Sequence, residues 1–378
     1  MDKIAFVDLL PQYEEIRTEL DNAVSAVIRN SHFIQGKPVA EFEAALSDSI
    51  GVKHACGVAN ATSALWITLK ALGIGPGDEV ITTPLTAVPT AEAITLNGAE
   101  VVFADIDPQT FQINPDEIAR KITPRTKAIL PVHLYGIPVN LPQILEIAGK
   151  HGIPVVEDCA QAQGAEISGK RVGSMGVAGC FSFFPSKNLG GWGDGGAMVT
   201  NDGEIDRFVR MFSNHGRLEK FTHEIPGANE RLDGLQAAVL LVKLAKLDEW
   251  NARRRKIADA YATRLENVDE VTVPRVYPDT VPVWHLYVIR AKARDALARH
   301  LKENGIATGL HYPIPLHQQP AMSKGYRDGD LPEAEKAAAG ILSLPMYPHL
   351  NPDDVTRVCD AITAFYGRNC RGSQNAPR

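Results

Sequence analysis

The sequence predicts an α/β fold on a mostly parallel central sheet, from two observations. Between residues 52 and 200, short apolar runs of strand length alternate with runs of helical length, the pattern of a layered α/β sheet. The length, 378 residues, exceeds one ordinary small domain, so two domains or one large α/β domain with an appendage are expected.

The elements follow in order. Residues 8–30 read as one amphipathic helix, with Leu20, Val24, Val27 and Ile28 at helical spacing. Strand-like runs are VKHACGVA (52–59), VIT (80–82), VVFAD (101–105), AILPV (128–132), PVVED (154–158), GCFSFF (179–184) and AMVT (197–200). Between them lie the helix-like runs TSALWITLKAL (62–72), AEAITLN (91–97), PDEIARKI (115–122) and LPQILEIAGKHG (141–152). Gly73, Gly75, Pro76 and Gly77 punctuate the end of the first of these. Residues 233–265 read as one long helical stretch linking a larger unit to a smaller one. Mixed signals follow: a strand at VWHLYVIR (283–290), a helix at RDALARHLKENG (294–305), a proline-rich loop at HYPIPLHQQP (311–320) and a last helix near 352–366. The expected division is a large α/β domain over 1–250, N-terminal helix included, a small C-terminal α+β domain over 251–366, and a disordered tail over 367–378.

Composition narrows the function classes. Hydrophobic content of 44% and charged content of 22% are those of a soluble globular protein. With a net charge of −6 and no dominant basic run, nucleic acid is not expected as a partner. The N-terminal stretch carries acids and does not read as a secretory signal, and no run of 18 apolar residues suggests a membrane span. Five scattered cysteines, odd in number and without a C-x-x-C pair, fit a reducing cytoplasm.

Three places can carry chemistry. In FSFFPSKNLGGWGDGG (181–196) a single lysine, Lys187, separates an apolar run from five glycines in seven positions. A surface turn would explain this, and so would a lysine whose surroundings are emptied for a flat ligand. In IPVVEDCAQAQGA, Glu157 and Asp158 end a buried strand, where open α/β sheets present ligand-binding residues; a helix cap or structural salt bridge is the alternative. In GVANATSALWITLK, Asn60 to Ser63 open a helix after a strand, which suits an anion such as phosphate or serves as a plain cap.

Other motifs fail on inspection. GAEISGK (164–170) is followed by Arg171, so the magnesium-binding hydroxyl of a phosphate loop is missing. GIGPG (73–77) follows a helix, HEIPG (223–227) lacks a second zinc-binding histidine, and Ser182 has no G-x-S-x-G elbow. The eleven histidines show no metal-ligand spacing, so no metal is expected. What remains is an anion site at 60–63, a carboxylate at 158 and a lysine at 187. That set suits pyridoxal 5'-phosphate, which needs a phosphate cradle, a carboxylate at its ring nitrogen and an amine for its aldehyde.

At these residues the chain resembles the DegT/DnrJ/EryC1/StrS aminotransferases, pyridoxal-phosphate enzymes of fold type I, from about residue 4 to 366. The resemblance is carried by FIQGKPVAEFE, GIGPGDEVI, VVFADID, PVHLYG, EDCAQAQGA, SFFPSKNLGGWGDGGAMVTND, NHG, NERLDGLQAA and HYPIPLH, all in order. It implies that Lys187 is the Schiff-base lysine and Asp158 the partner of the ring nitrogen. It places Gln161 at the phenolic oxygen, Ala61, Thr62 and Ser182 at the phosphate, and Asn229 at the phosphate of a second subunit, hence a homodimer with shared sites. His311, Tyr312 and His317 match a region that lines the sugar-nucleotide pocket. The glycines after Lys187 are expected to let backbone and a partner loop pack near the cofactor. Two positions depart from the family: Ala87 stands where an aromatic residue often stacks on the ring, and Gln163 replaces a histidine.

The expected activity is a two-step amino transfer. L-glutamate, by family habit, leaves its amine on the cofactor as pyridoxamine 5'-phosphate, which aminates a nucleoside-diphosphate-linked keto-(6-deoxy)sugar. Alternative acceptors are a cyclitol ketone or an aromatic precursor of the aminohydroxybenzoate type; a non-catalytic regulator is the third reading. A histidine at the lysine position marks a dehydrating relative, so Lys187 argues against that chemistry.

Overall fold

The computed structural model describes residues 3–372, with side chains through residue 367. The sheet is built from β1 (His54–Val58), β2 (Glu79–Thr82), β3 (Glu100–Phe103), β4 (Thr126–Leu130), β5 (Val156–Asp158), β6 (Ala178–Ser182) and β7 (Gly196–Thr200). Hydrogen-bonded neighbours give the order β1-β7-β6-β5 and, beside it, β4-β2-β3. Parallel bridges Ile129↔Val155 and Val132↔Asp158 join the two halves. All these pairings are parallel except those of β7, which runs against both β6 and β1. The mostly parallel sheet expected from the alternating pattern is thus present, with one reversed strand.

That reversal matters for position. The carboxyl ends of β1, β5 and β6 and the beginning of β7 share one edge, because Gly196 pairs with both Val58 and Ser182. Residues that follow the parallel strands and residues that precede β7 therefore converge there.

Helices cover both faces. The first stretch is two helices, α1 (Leu10–Glu15) and α2 (Arg17–Asn30), followed by α3 (Lys37–Ile50). The single helix expected over 8–30 breaks at Ile16, whose φ of −128° is not helical and whose side chain turns into the core. Next come α4 (Ala61–Ala71), α5 (Pro89–Thr95), α6 (Pro115–Lys121), α7 (Leu141–His151) and α8 (Gly203–Phe212). Successive strand residues divide between two cores, as the two-residue period of a strand requires. Ile81, Ile129, Phe181 and Val199 pack with Phe42 and Leu46 of α3 and Ile144 of α7. Val80, Leu130, Cys180 and Met198 pack with Leu65 and Ile67 of α4, Ile94 of α5 and Val209 of α8. A fully buried side chain of this size contributes about 1.5–3 kcal/mol.

The helical stretch over 233–265 is likewise two helices, α9 (Gly234–Leu244) and α10 (Leu247–Leu265). A third core forms around α10, α11 (Arg294–Glu303) and α13 (Pro352–Gly372), joined by β8 (Tyr287–Ala291) and its antiparallel neighbour β9 (Ile341–Leu344). It includes Tyr261, Tyr287, Leu301, Leu344 and Ile362. Here the strand expected over 283–290 begins only at Tyr287; residues 283–286 form a loop instead. A short helix α12 (Pro332–Gly340) precedes β9. Helix α13 extends beyond residue 366, and the rest of the expected tail, 373–378, lies outside the described residues. No helix among the described residues is long and apolar enough to cross a membrane.

The start of β7 is packed without slack. A Cβ on Gly196 would sit 2.3 Å from the carbonyl carbon of Asn60 and 2.7 Å from the nitrogen of Ala61. Gly196→Ala is therefore expected to push β7 and α4 apart and to lower unfolding free energy by about 1–3 kcal/mol, as overpacking does. Urea titration checks this; an unchanged midpoint would show that the two segments part freely.

Candidate active site

Asn60 starts α4. Its backbone is extended, and its Oδ1 accepts the N–H of Ser63 at 2.9 Å while its carbonyl accepts that of Ala64 at 3.1 Å. A helix leaves its first N–H groups without partners inside the helix. With Ser63 and Ala64 satisfied, the amides of Ala61 and Thr62 remain open, with the positive end of the helix dipole behind them. Thr62 and Ser182 add hydroxyls on the same cavity wall.

At the end of β5 two adjacent acids take opposite roles. Glu157 is fully buried and accepts N–H bonds from Gly173, Met175 and Gly176 at 2.7–2.9 Å. His133 completes the group: its Nδ1 accepts the N–H of Val139 at 3.2 Å, so its Nε2 carries the proton donated to Glu157 at 3.0 Å. Burial alone would push the Glu157 carboxyl up; these donors outweigh it and hold it below its ordinary value. The ligand atoms of Cys159, His133 and Glu157 lie within 4.8 Å of one another, but the imidazole and carboxylate are committed to these bonds. The structural reading thus belongs to Glu157.

Asp158, one residue on, faces the cavity. Thr90 donates its hydroxyl to Oδ2 at 2.9 Å and Ala160 its N–H to Oδ1 at 3.1 Å. Burial pushes its carboxyl above the ordinary value, against the pull of these two donors and of the Lys187 charge. Lys187 lines the same cavity, and no hydrogen bond or ion pair holds its Nζ among the described residues. Burial lowers its amine to about 8, with the Asp158 charge pulling the other way. The backbone around it is fixed: Lys187 N–H bonds the carbonyl of Phe184 at 2.8 Å, and Asn188 donates to Asn251 and to the carbonyl of Val283.

The glycine run packs tightly against its own chain. A Cβ on Gly190 would lie 2.2 Å from the carbonyl oxygen of Pro185, and the space beside Gly196 is filled by Asn60. These two glycines let the chain close on itself around Lys187, and Gly195 lines the cavity beside it.

One cavity of about 610 Å³ gathers Ala61, Thr62, Ala87, Asp158, Gln161, Ser182 and Lys187. Gln161 is buried; its Oε1 accepts the N–H of Tyr135 at 2.7 Å and its Nε2 donates to the Tyr312 hydroxyl at 3.2 Å. Tyr312 and His311 thus stand next to the cavity lining. His311 stacks on Phe6 and bonds Ser343 at 2.9 Å, and burial, then Lys187, pushes its imidazole down to about 4. Asn229 is exposed, pairs with Asn214 and does not reach this cavity within its own chain. His317 is buried away from it, bonded to Glu335 at 3.0 Å and packed edge-on against Phe103. Gln163 turns from the cavity, donating to the carbonyls of Ser182 and Ala160.

Sequence reasoning missed Thr90, Glu230 and His285. Thr90 follows Thr86 by four residues, a helical spacing that could have marked it. Glu230 lines the cavity beside Ser63, and only tertiary structure reveals that. His285 is buried with its Nδ1 unpartnered, and its imidazole is held well below the ordinary value by burial and then by Lys187.

An unpartnered amine and a buried carboxylate share this cavity with a helix terminus that keeps two amides open; these residues fit a pyridoxal phosphate, group for group. The model of the DegT/DnrJ/EryC1/StrS aminotransferase family matches residues 14–363, and the chain belongs to that family. It is 46% identical over 366 residues to the "Pleiotropic regulatory protein" of Geobacillus stearothermophilus, covering 96% of this chain and 98% of that one. It is 43% identical over 367 residues to the dTDP-3-amino-3,4,6-trideoxy-alpha-D-glucose transaminase of Streptomyces venezuelae, covering 97% of each. The crystal structure of S. venezuelae DesV in complex with a ketimine intermediate superposes with a TM-score of 0.95 at 42% identity, over 97% of this chain and 99% of that one. The fold is fold type I.

Glu157→Gln places an amide among four donors and is expected to cost about 3 kcal/mol at neutral pH. A carboxyl held low in the folded state stabilises above its unfolded value and loses that contribution as pH falls through the folded one. The wild-type advantage should therefore shrink under acid, below about pH 4. Denaturation at pH 7 and pH 3.5 checks it; a constant gap would deny the ionised pairing.

Proposed function

We propose that this protein is a pyridoxal-phosphate-dependent aminotransferase that moves an amino group from L-glutamate to a nucleoside-diphosphate-linked keto-(6-deoxy)sugar, in two half-reactions. The observation that carries this reading is the shared cavity of Asp158 and a partner-free Lys187. The name of the S. venezuelae relative supports the sugar-nucleotide acceptor.

Each residue has a physical task. When bound, the cofactor supplies an aldehyde to carry the amine and a ring to take up an electron pair. The amides of Ala61 and Thr62, with the hydroxyls of Thr62 and Ser182, bind its phosphate. The Asp158 carboxylate would accept the N–H of the ring nitrogen and favour its protonated form. Thr90 and Ala160 keep that carboxylate aimed. Lys187 Nζ would hold the cofactor through its aldehyde, and the same amine, freed of that bond, would serve as the base that moves a proton from the donor's α-carbon. Gln161, itself fixed by Tyr135, reaches the phenolic oxygen. His311 and Tyr312 line the acceptor side; His317 supports that loop from behind.

The working unit in this reading is a cytoplasmic homodimer. Asn229 is exposed and does not line its own cavity, which suits a residue serving the other subunit, and the exposed Phe33 and Ile34 offer apolar surface for the contact. A regulatory role is favoured by the name of the G. stearothermophilus relative.

Lys187→Ala should abolish amino transfer from glutamate; turnover within tenfold of wild type would remove the lysine from the mechanism. In wild-type protein freed of cofactor, the rate at which added pyridoxal phosphate develops its visible band should rise as pH passes about 8, the value to which burial brings the Lys187 amine. A flat profile from pH 7 to 9 counts against that assignment.

Subunit sharing has its own test. Lys187→Ala and Asn229→Ala proteins should each be inactive or weak alone, and mixing them after mild dissociation should restore about a quarter of wild-type sites. No recovery in a verified mixed dimer would confine each site to one chain.

A further inference from the structure

The cavity wall that receives phosphate carries an unexpected charge. Glu230 lines it, together with Asp158 and Asp194, and Lys187 is the one lysine or arginine among the lining residues. Phosphate sites commonly rely on arginine or lysine. Here the attraction comes from helix amides and hydroxyls, and a carboxylate stands beside them.

Glu230 is held in that place. Its N–H bonds the carbonyl of Ser213 and its carbonyl accepts the N–H of Ala59, both at 2.9 Å, so its backbone is tied to the end of β1. Its Oε2 accepts the hydroxyl of Ser63 at 2.6 Å. That hydroxyl has one proton; the Asn60 Oδ1, at 3.1 Å, is the poorer acceptor. Ser63, the third residue of α4, thus gives its hydroxyl to a carboxylate, and the favourable end of the helix dipole attracts that carboxylate as it attracts phosphate.

We infer that Glu230 is a charge counterweight at the phosphate end of the cofactor site: its carboxylate opposes the phosphate, holds cofactor affinity down and keeps the cofactor exchangeable. The inference rests on the pyridoxal-phosphate reading of the cavity. A fixed negative charge at the edge of the cradle repels a phosphate of charge near −2, and a partly enclosed wall screens that repulsion less than open water does.

The test compares ligands that differ only in the phosphate. Glu230→Gln keeps an oxygen to accept from Ser63 and removes the charge. Binding of pyridoxamine 5'-phosphate and of pyridoxamine is measured by calorimetry on cofactor-free wild type and variant, so that no turnover is needed. The variant is expected to bind the phosphorylated ligand about five- to tenfold more tightly and the unphosphorylated one unchanged. Inorganic phosphate should also compete more strongly in the variant. An equal gain for both ligands overturns the inference, because the effect would then not be electrostatic at the phosphate. Weaker binding of the phosphorylated ligand also overturns it, since the carboxylate would then be building the cradle. A wild type that binds neither ligand fails separately: it removes the cofactor reading itself and this inference with it.

Discussion

The structure depends on the way β5 ends. Glu157 and Asp158 are neighbours in sequence, and strand geometry sends neighbouring side chains to opposite faces. Glu157 is consumed by four donors and fixes the end of the strand to the turn at 173–176 and to His133. With that carboxylate locked, the next side chain has one direction available, into the cavity. A floppy strand end would let Asp158 escape to water, as an isolated carboxylate favours. The locked acid therefore aims its neighbour into the cavity.

Around that anchor, burial drives Asp158 and Lys187 toward neutrality. It pushes the carboxyl of Asp158 up and the amine of Lys187 down, and their mutual attraction does not restore either. Two groups in direct contact would form an ion pair and hold each other charged. Kept apart, each is left poised to exchange a proton with whatever lies between them. Removing solvent thus tunes both groups at once, and the same enclosure strengthens every other charge on the cavity wall, including the carboxylates at 194 and 230.

The sequence disclosed the sheet and the three chemical positions because each leaves a local trace. Strand and helix alternation is periodic, and Asp158 and Lys187 follow buried runs directly. The two broken helices show what a local pattern hides: helical periodicity continues across Ile16 and across 245–246, while the backbone turns there to satisfy packing elsewhere. Glu230 and His285 left no trace of use, because each meets the site only through tertiary contact, and Thr90 left only its helical spacing from Thr86. Sequence also divided Glu157 from Asp158 poorly; the choice between structural and functional acid rests on which one finds backbone donors, and those come from residues 173–176. The glycine run was legible as unusual, yet its cause, the close approach of the chain to itself at Gly190 and Gly196, appears only in three dimensions.

The loop at 283–286 joins the third core to the backbone beside Lys187. Trp284 adopts φ 48° and Tyr135 φ 62°, a backbone region that bulky residues rarely occupy and that surrounding bonds must enforce. The enforcing bonds are present: Val283 and Leu286 donate N–H groups to the carbonyls of Gly136 and Tyr135, and Gln161 accepts from Tyr135. From the other side, the buried Arg254 gathers the carbonyls of Trp284, His285 and Met346 on one guanidinium nitrogen, and burial lowers it to about 9. Asn188, next to Lys187, then bonds the carbonyl of Val283. A shift of α10 would thus move Arg254, the loop and the lysine backbone together. The third core is in this way a fixed wall of the site, and the unpartnered imidazole of His285 is held at that wall by bonds that do not involve its ring.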